Sequence, residues 1–123
     1  MQKIAICILA DPSTGSEEAL GRVFNAFILA NDLKDKGVPC RIFFQGTGTR
    51  WIELLEKEGH PAHSLYVKAK DLIEGASMTC ATAFKANIEG FGVPGVCDFA
   101  VPNTKGAIGL AKHVQEGYAI VTF

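Results

Sequence analysis

The chain opens on a continuous apolar run, residues 3–9 (KIAICIL), rich in β-branched side chains and broken by Asp11-Pro12. A run of this length without polar alternation predicts a strand covered on both faces. DPSTGSEE then supplies turn residues, with Ser16 as an N-cap and Glu17 and Glu18 in the first turn of a long helix. That helix carries Leu20, Val23, Phe24, Phe27, Ile28 and Leu33 and runs to about Lys36, where basic residues and Gly37 stop it. Ala26, Leu29 and Ala30 widen its apolar arc beyond the stripe of about 100° needed to cover one sheet face. The surplus predicts a subunit interface.

Residues 38–45 (VPCRIFFQ) form the next predicted strand, with Pro39 tolerable near its start. The polar loop GTGTR leads into a second helix from Trp51 that ends near Gly59. After HPAH, residues 64–74 read as a weaker helical stretch with Leu65, Val67 and Leu72, and residues 75–79 (GASMT) as a short strand, although Gly75 and Ala76 are poor strand formers. A helix over residues 81–89 uses Ala83, Phe84 and Ile88, and a glycine-rich loop spans about 90–102. Asn103-Thr104 is expected to cap a last helix running through Val114 to Gly117, and residues 118–123 (YAIVTF) close the chain as a strand. No repeat, linker or low-complexity segment interrupts this rhythm. Alternating strands and helices predict one α/β domain over residues 1–123, a three-layer sandwich around a mainly parallel, about five-stranded sheet. Ligands and reactive groups in such folds collect outside the carboxyl ends of the strands, here DPSTGS, QGTGTR, the Cys80 turn and the 90–102 loop.

Composition adds exclusions. The 123 residues are 48% hydrophobic and 20% charged, enough apolar material for a packed core. Net charge is −1 with no block of like charge, which argues against a nucleic-acid or anionic-membrane partner. The longest apolar stretch, Ile4 to Ala10, is too short for a membrane span and lacks the pattern of a signal peptide. Cys7, Cys40, Cys80 and Cys97 include no Cys-x-x-Cys, so they read as mostly reduced thiols of a cytoplasmic protein.

Chemistry concentrates on Cys80. It follows a predicted strand and precedes a predicted helix, a place at the sheet rim where helix amides favour thiolate, the nucleophile that also accepts a sulfane sulfur. The competing reading is a small buried hydrophobe, the role assigned to Cys7 and Cys40 inside their strands. Cys97, in the glycine-rich loop, is either a resolving thiol or an ordinary loop cysteine, and a Cys80–Cys97 disulfide stays open. His60, His63, Cys80 and Cys97 are zinc's usual ligand types, but Pro61 and the wide cysteine spacing argue against a metal site. His113 reads as a surface or partly packed residue. Thr14 and Ser16 in the first polar loop, and Gly48, Thr49 and Arg50 in the second, offer amides, hydroxyls and a cation to a small anion. Trp51 replaces the third glycine of a dinucleotide fingerprint, and packing is its simplest role. No His-Glu-x-x-His, Gly-x-Ser-x-Gly or paired-carboxylate constellation occurs, which disfavours a hydrolase.

With these residues in place, nearly the whole chain resembles the DsrE/DsrF-like family, which includes small sulfur-relay subunits. The resemblance is carried by KIAICIL, RVFNAFILANDLKDKG, VPCRIFFQG, the cysteine in SMTCATAFKANIEGFGV, and EGYAIVTF. It implies a sulfur carrier or sulfurtransferase-like protein in which Cys80 holds a persulfide between donor and acceptor proteins, with no metal or organic cofactor, assembled as a trimer or hexamer. The glycine-rich stretch with Cys97 has no counterpart in a relay motif. The alternative from a different class is a non-catalytic oligomeric protein that binds a small anion or nucleotide-like ligand at the rim, and a third is a redox sensor using Cys80 and Cys97.

Overall fold

The computed structural model describes residues 2–123. Its strands are β1 (Lys3–Ile8), β2 (Cys40–Phe44), β3 (Ile73–Ser77), β4 (Gly95–Val96) and β5 (Tyr118–Thr122), and its helices are α1 (Glu17–Asp35), α2 (Trp51–Leu55), α3 (His63–Ala69), α4 (Met78–Ala83) and α5 (Ala111–Gln115). All strand pairs are parallel, in the order β4-β3-β2-β1-β5. The α/β sandwich with a five-stranded sheet is therefore the fold. Among the described residues no helix is long and apolar enough to cross a membrane.

Strand alternation divides the core between two faces. Ile6, Ile8, Ile42, Phe44 and Ala76 meet Val23 and Phe27 of α1, Ile52 and Leu55 of α2, and Tyr66 and Ala69 of α3. Ala5, Cys7 and Phe43 point the other way, beneath Ile108 and Leu110. His113 of α5 joins that second face: it is 5% exposed, stands edge-on to Phe43 and Tyr118, and places Nε2 2.7 Å from a Glu74 carboxylate oxygen. The histidine expected at the surface or partly packed is thus a buried one, because α5 is too short to cover the sheet without it.

Ser16 caps α1 as expected, accepting the Ala19 N–H at 3.0 Å. The breadth of the helix's apolar arc has an explanation within the chain. Helix α3 lies alongside, Asn31 donates to the Leu65 carbonyl at 3.0 Å, and Phe27 meets Tyr66 edge-on at 5.7 Å. Leu20, Phe24, Leu29 and Leu33 pack against the same core, leaving Ile28 at 43% exposure. The surplus that predicted a subunit interface is largely taken up by α3.

Several boundaries differ from expectation, each for a local reason. GTGTR is a 3-10 helix (Gly46–Arg50) running into α2, which stops at Leu55. The 64–74 stretch ends as a helix at Ala69, passes through a 3-10 turn (Lys70–Leu72), and the strand begins already at Ile73. Ser77 ends β3 by capping, so Met78 and Thr79 belong to α4 and the predicted 81–89 helix closes at Ala83. The glycine-rich loop contributes β4. Asn103 and Thr104 cap nothing: Asn103 has a positive φ, the Thr104 hydroxyl donates to the Val101 carbonyl at 2.8 Å, and α5 starts only at Ala111.

Gly75 explains how a poor strand former holds a strand. A Cβ there would lie 2.4 Å from Val96 Cγ2 and 2.6 Å from the Pro94 carbonyl oxygen, so its absence lets β4 approach β3. Propensity alone favours Gly75→Val. The packing reverses the sign, and chemical denaturation should show the variant destabilised by about 1–3 kcal/mol.

Candidate active site

The carboxyl ends of the strands form a rim whose parts are tied together by the backbone of β1. The Ile8 carbonyl accepts from Gln45 N–H at 3.1 Å, the Leu9 carbonyl from the Thr47 hydroxyl at 3.1 Å, and the Ala10 carbonyl from Trp51 Nε1 at 2.8 Å. Leu9 and Ala10 donate to the Phe123 carbonyl at 2.8 and 3.1 Å. Trp51 is accordingly a buried packing residue. Gly48 and Thr49, expected to face an anion, belong to this same interior. A Cβ on Gly48 would fall 2.0 Å from the Ile8 carbonyl oxygen, and Thr49 is fully buried with its hydroxyl donating to Gly46 at 2.8 Å. Both are corrected from binding residues to structural ones.

Arg50 reaches the rim, but its guanidinium is engaged three ways. Nε donates to the Phe84 carbonyl at 3.0 Å, and Nη1 to Asp11 Oδ1 at 3.1 Å and Ser13 Oγ at 3.0 Å. The guanidinium also sits over the Phe84 ring. It braces the end of α4 against the loop after β1. Thr14 and Ser16 lie elsewhere, beside an open cavity of about 340 Å³ with Asp11, Glu18 and Arg22. Thr14 donates to the Asp11 carbonyl at 3.1 Å, Ser16 is the α1 cap, and Arg22 pairs with Glu18 at 3.1 Å. Two carboxylates against one paired guanidinium suit an anion poorly.

Cys80 is the third residue of α4 and partly exposed at the rim. The amides expected to favour its thiolate have other partners. Cys80 N–H donates to Ser77 Oγ at 3.2 Å, and Thr79 N–H to the Gly106 carbonyl at 2.9 Å. The shift of the helix start by three residues is the cause: the sulfur sits within the first turn rather than before it. Cys97 is exposed, and the fold brings its segment to α4. Gly106, at φ +114°, has no Cβ because one would lie 2.7 Å from the Cys97 carbonyl oxygen and 3.0 Å from Cys97 Cβ, while Gly106 N–H donates to the Thr79 hydroxyl at 3.1 Å.

Sequence reasoning missed the cavity beside α4. It encloses about 510 Å³ and is lined by Thr79, Thr82, Ala83, Asn103, Thr104 and Lys105. Residues some twenty positions apart, half of them in irregular backbone, leave no periodic signal; the positive φ of Asn103 that shapes the wall is visible only in three dimensions. His60 and His63 spend their Nδ1 atoms locally, on Ala62 N–H at 3.1 Å and the Leu55 carbonyl at 2.7 Å. Among the described residues no three His, Cys, Asp or Glu side chains gather as metal ligands would.

With this geometry in view, comparison with known proteins adds little chemistry. The chain is similar to an uncharacterized protein of Methanocaldococcus jannaschii, 29% identical over 99 residues, 80% of this chain and 78% of the relative. No family model matches the chain. No solved structure matches it.

The four thiols fall into two classes. Burial pushes Cys7 and Cys40 up to about 11, with nearby Arg41 partly opposing the rise at Cys40. Cys80 and Cys97 reach solvent. Titration of the native protein with a disulfide reagent near neutral pH should therefore count the Cys80 and Cys97 thiols rapidly and all four only after denaturation, with peptide mapping to assign them.

Asp11 supplies a pH-dependent test of the Arg50 brace. The Ser13 hydroxyl and amide, and then Arg50, hold its carboxyl below the ordinary 3.8. The folded chain releases this proton more readily than the unfolded chain, so the contribution is complete above that value and drains away as pH falls through the lowered one. Asp11→Asn should lower the melting temperature at neutral pH, and the wild-type and variant curves should converge in strong acid.

Proposed function

We propose that the protein is a sulfur carrier of the sulfurtransferase type, akin to the DsrE/DsrF-like relay subunits it resembles, with Cys80 as the carrying residue. The observation behind this reading is the contrast among the thiols: Cys7 and Cys40 are buried, whereas Cys80 reaches solvent on the helix that follows β3, the place the resemblance gives to the carrying cysteine. The free thiols also fit a reducing cytoplasm.

In the first step the Cys80 thiolate attacks the terminal sulfur of a donor persulfide. The donor's sulfur–sulfur bond breaks, the donor thiolate leaves with the electron pair, and Cys80 holds the sulfane sulfur. In the second step an acceptor thiolate attacks that outer sulfur and releases Cys80 as thiolate. The cycle is redox-neutral and draws on no cofactor. Because the first amides of α4 are already bonded to Ser77 and Gly106, the charge on the partly exposed sulfur is met by solvent. Arg50 acts here by holding α4 in place.

Incubating the reduced protein with polysulfide or thiosulfate and weighing it intact tests the reading. Wild type and Cys97→Ser should gain one sulfur atom, and Cys80→Ser none. An adduct that survives in Cys80→Ser, or its absence from wild type, overturns the relay and leaves the rim as a binding surface. An internal disulfide between Cys80 and Cys97 after mild oxidation, with no sulfur uptake, would identify the redox sensor instead.

A further inference from the structure

The two edges of the sheet are unequal. At one side β4 is only two residues long, a length that by itself blunts an edge. At the other side β5 (YAIVT) is five residues of strong strand formers with no charge, proline or bulge. It is barely covered. Ala119 and Ile120 are exposed although their side chains point to opposite faces of the sheet, Ile120 at 42%, and Val114 on the adjoining α5 is 53% exposed.

The open edge has a definite hydrogen-bond pattern. Phe123 both donates to β1 and accepts from the segment after it, through its N–H to the Cys7 carbonyl and its carbonyl to Leu9 N–H. In a parallel strand both main-chain groups of a residue point to the same side and alternate along the chain. Val121 and Ala119 therefore also face β1, and the N–H and C=O groups of Tyr118, Ile120 and Thr122 face outward with no strand among the described residues to meet them. This outward set maps onto itself when the strand is reversed about Ile120: Tyr118 then faces Thr122, and Ile120 faces its own copy.

We propose that β5 pairs antiparallel with β5 of a second copy of this chain, about a two-fold axis at Ile120, joining two five-stranded sheets into one. Pairing with a second copy about Ile120 uses every outward group of both strands and closes this edge on a two-fold axis. Charge agrees with this choice: no residue of β5 is charged, so reversal brings no like charges face to face, and each copy carries a net charge of only −1. Exposed Ile120 packs against its counterpart on one face, and Ala119 gains cover on the other. The inference is independent of the sulfur chemistry proposed for Cys80.

Light scattering on the purified protein at about 100 µM, where a dimer of micromolar affinity is well populated, should give a mass of two copies or a multiple of two. Ile120→Lys should return it to a monomer or split the larger assembly, with the circular dichroism of a folded protein, whereas Ile28→Lys on α1 should leave the assembly intact. A geometric measurement stands beside these in case Ile120→Lys fails to fold. In a Cys80→Ser, Cys97→Ser background, Ile120→Cys should form a covalent dimer on mild oxidation, because directly opposed residues in such a pair lie about 5.5 Å apart, within reach of a disulfide. A wild-type monomer, a trimer, an assembly broken by Ile28→Lys but not by Ile120→Lys, or no crosslink at Ile120→Cys overturns the proposal.

Discussion

Strand β1 is dry on both faces from Ala5 to Ile8, and a buried backbone must find hydrogen-bond partners inside the protein. Within the sheet β2 and β5 provide them. At Ile8 the chain leaves the sheet, and the carbonyls of Ile8, Leu9 and Ala10 are met by a single contiguous segment, Gln45 to Trp51, through a main-chain N–H, a threonine hydroxyl and an indole. That segment must lie very close, which is why Gly48 presses on the Ile8 carbonyl where no side chain fits. It also sets the position of Arg50, and through Arg50 the end of α4. The rim is in this sense a consequence of satisfying one strand's backbone.

The same requirement decides what is free to do chemistry. Residues that look like an anion cradle in the polar loops are used up in folding: Thr49 is sealed, Ser16 caps α1, and Arg50 is shared among Asp11, Ser13 and Phe84. The first amides of α4 are likewise engaged by Ser77 and Gly106. The cavity walled by α4 and the segment before α5 opens on the same helix as Cys80, along the face of Thr79, Thr82 and Ala83. There the Thr79 hydroxyl donates to Thr104 and the Thr104 hydroxyl to the Val101 carbonyl, and Lys105 is the cation among the lining residues.

The second face of the sheet is built more thinly than the first. Helices α1, α2 and α3 cover one side with large apolar residues, whereas the other is closed by irregular backbone and the short α5, with His113 and Glu74 paired beneath it. His113 is buried while Glu74 stays partly exposed, and their 2.7 Å contact ties α5 to β3 where few apolar contacts could. It also explains why the coverage runs out at β5, which α5 enters directly.

Much of this was legible in the chain itself. Unbroken apolar runs at residues 3–9 and 38–45 marked buried parallel strands, and the Ser16 cap with its acidic first turn marked the start of α1, because these signals depend on a residue's own conformational preference and on its near neighbours. The burial of Cys7 and Cys40 followed from the same runs. What the sequence could not carry were the features that depend on contact between distant segments: Gly75 as a strand residue because Val96 and Pro94 press on it, the Thr79 amide taken by Gly106, Thr49 sealed behind β1, and a cavity assembled from α4 and the loop at Asn103. Local preference determined the elements and their order. Tertiary structure alone decided which polar groups were left unspent, since a hydrogen bond between residues far apart in the chain leaves no mark on either until they meet.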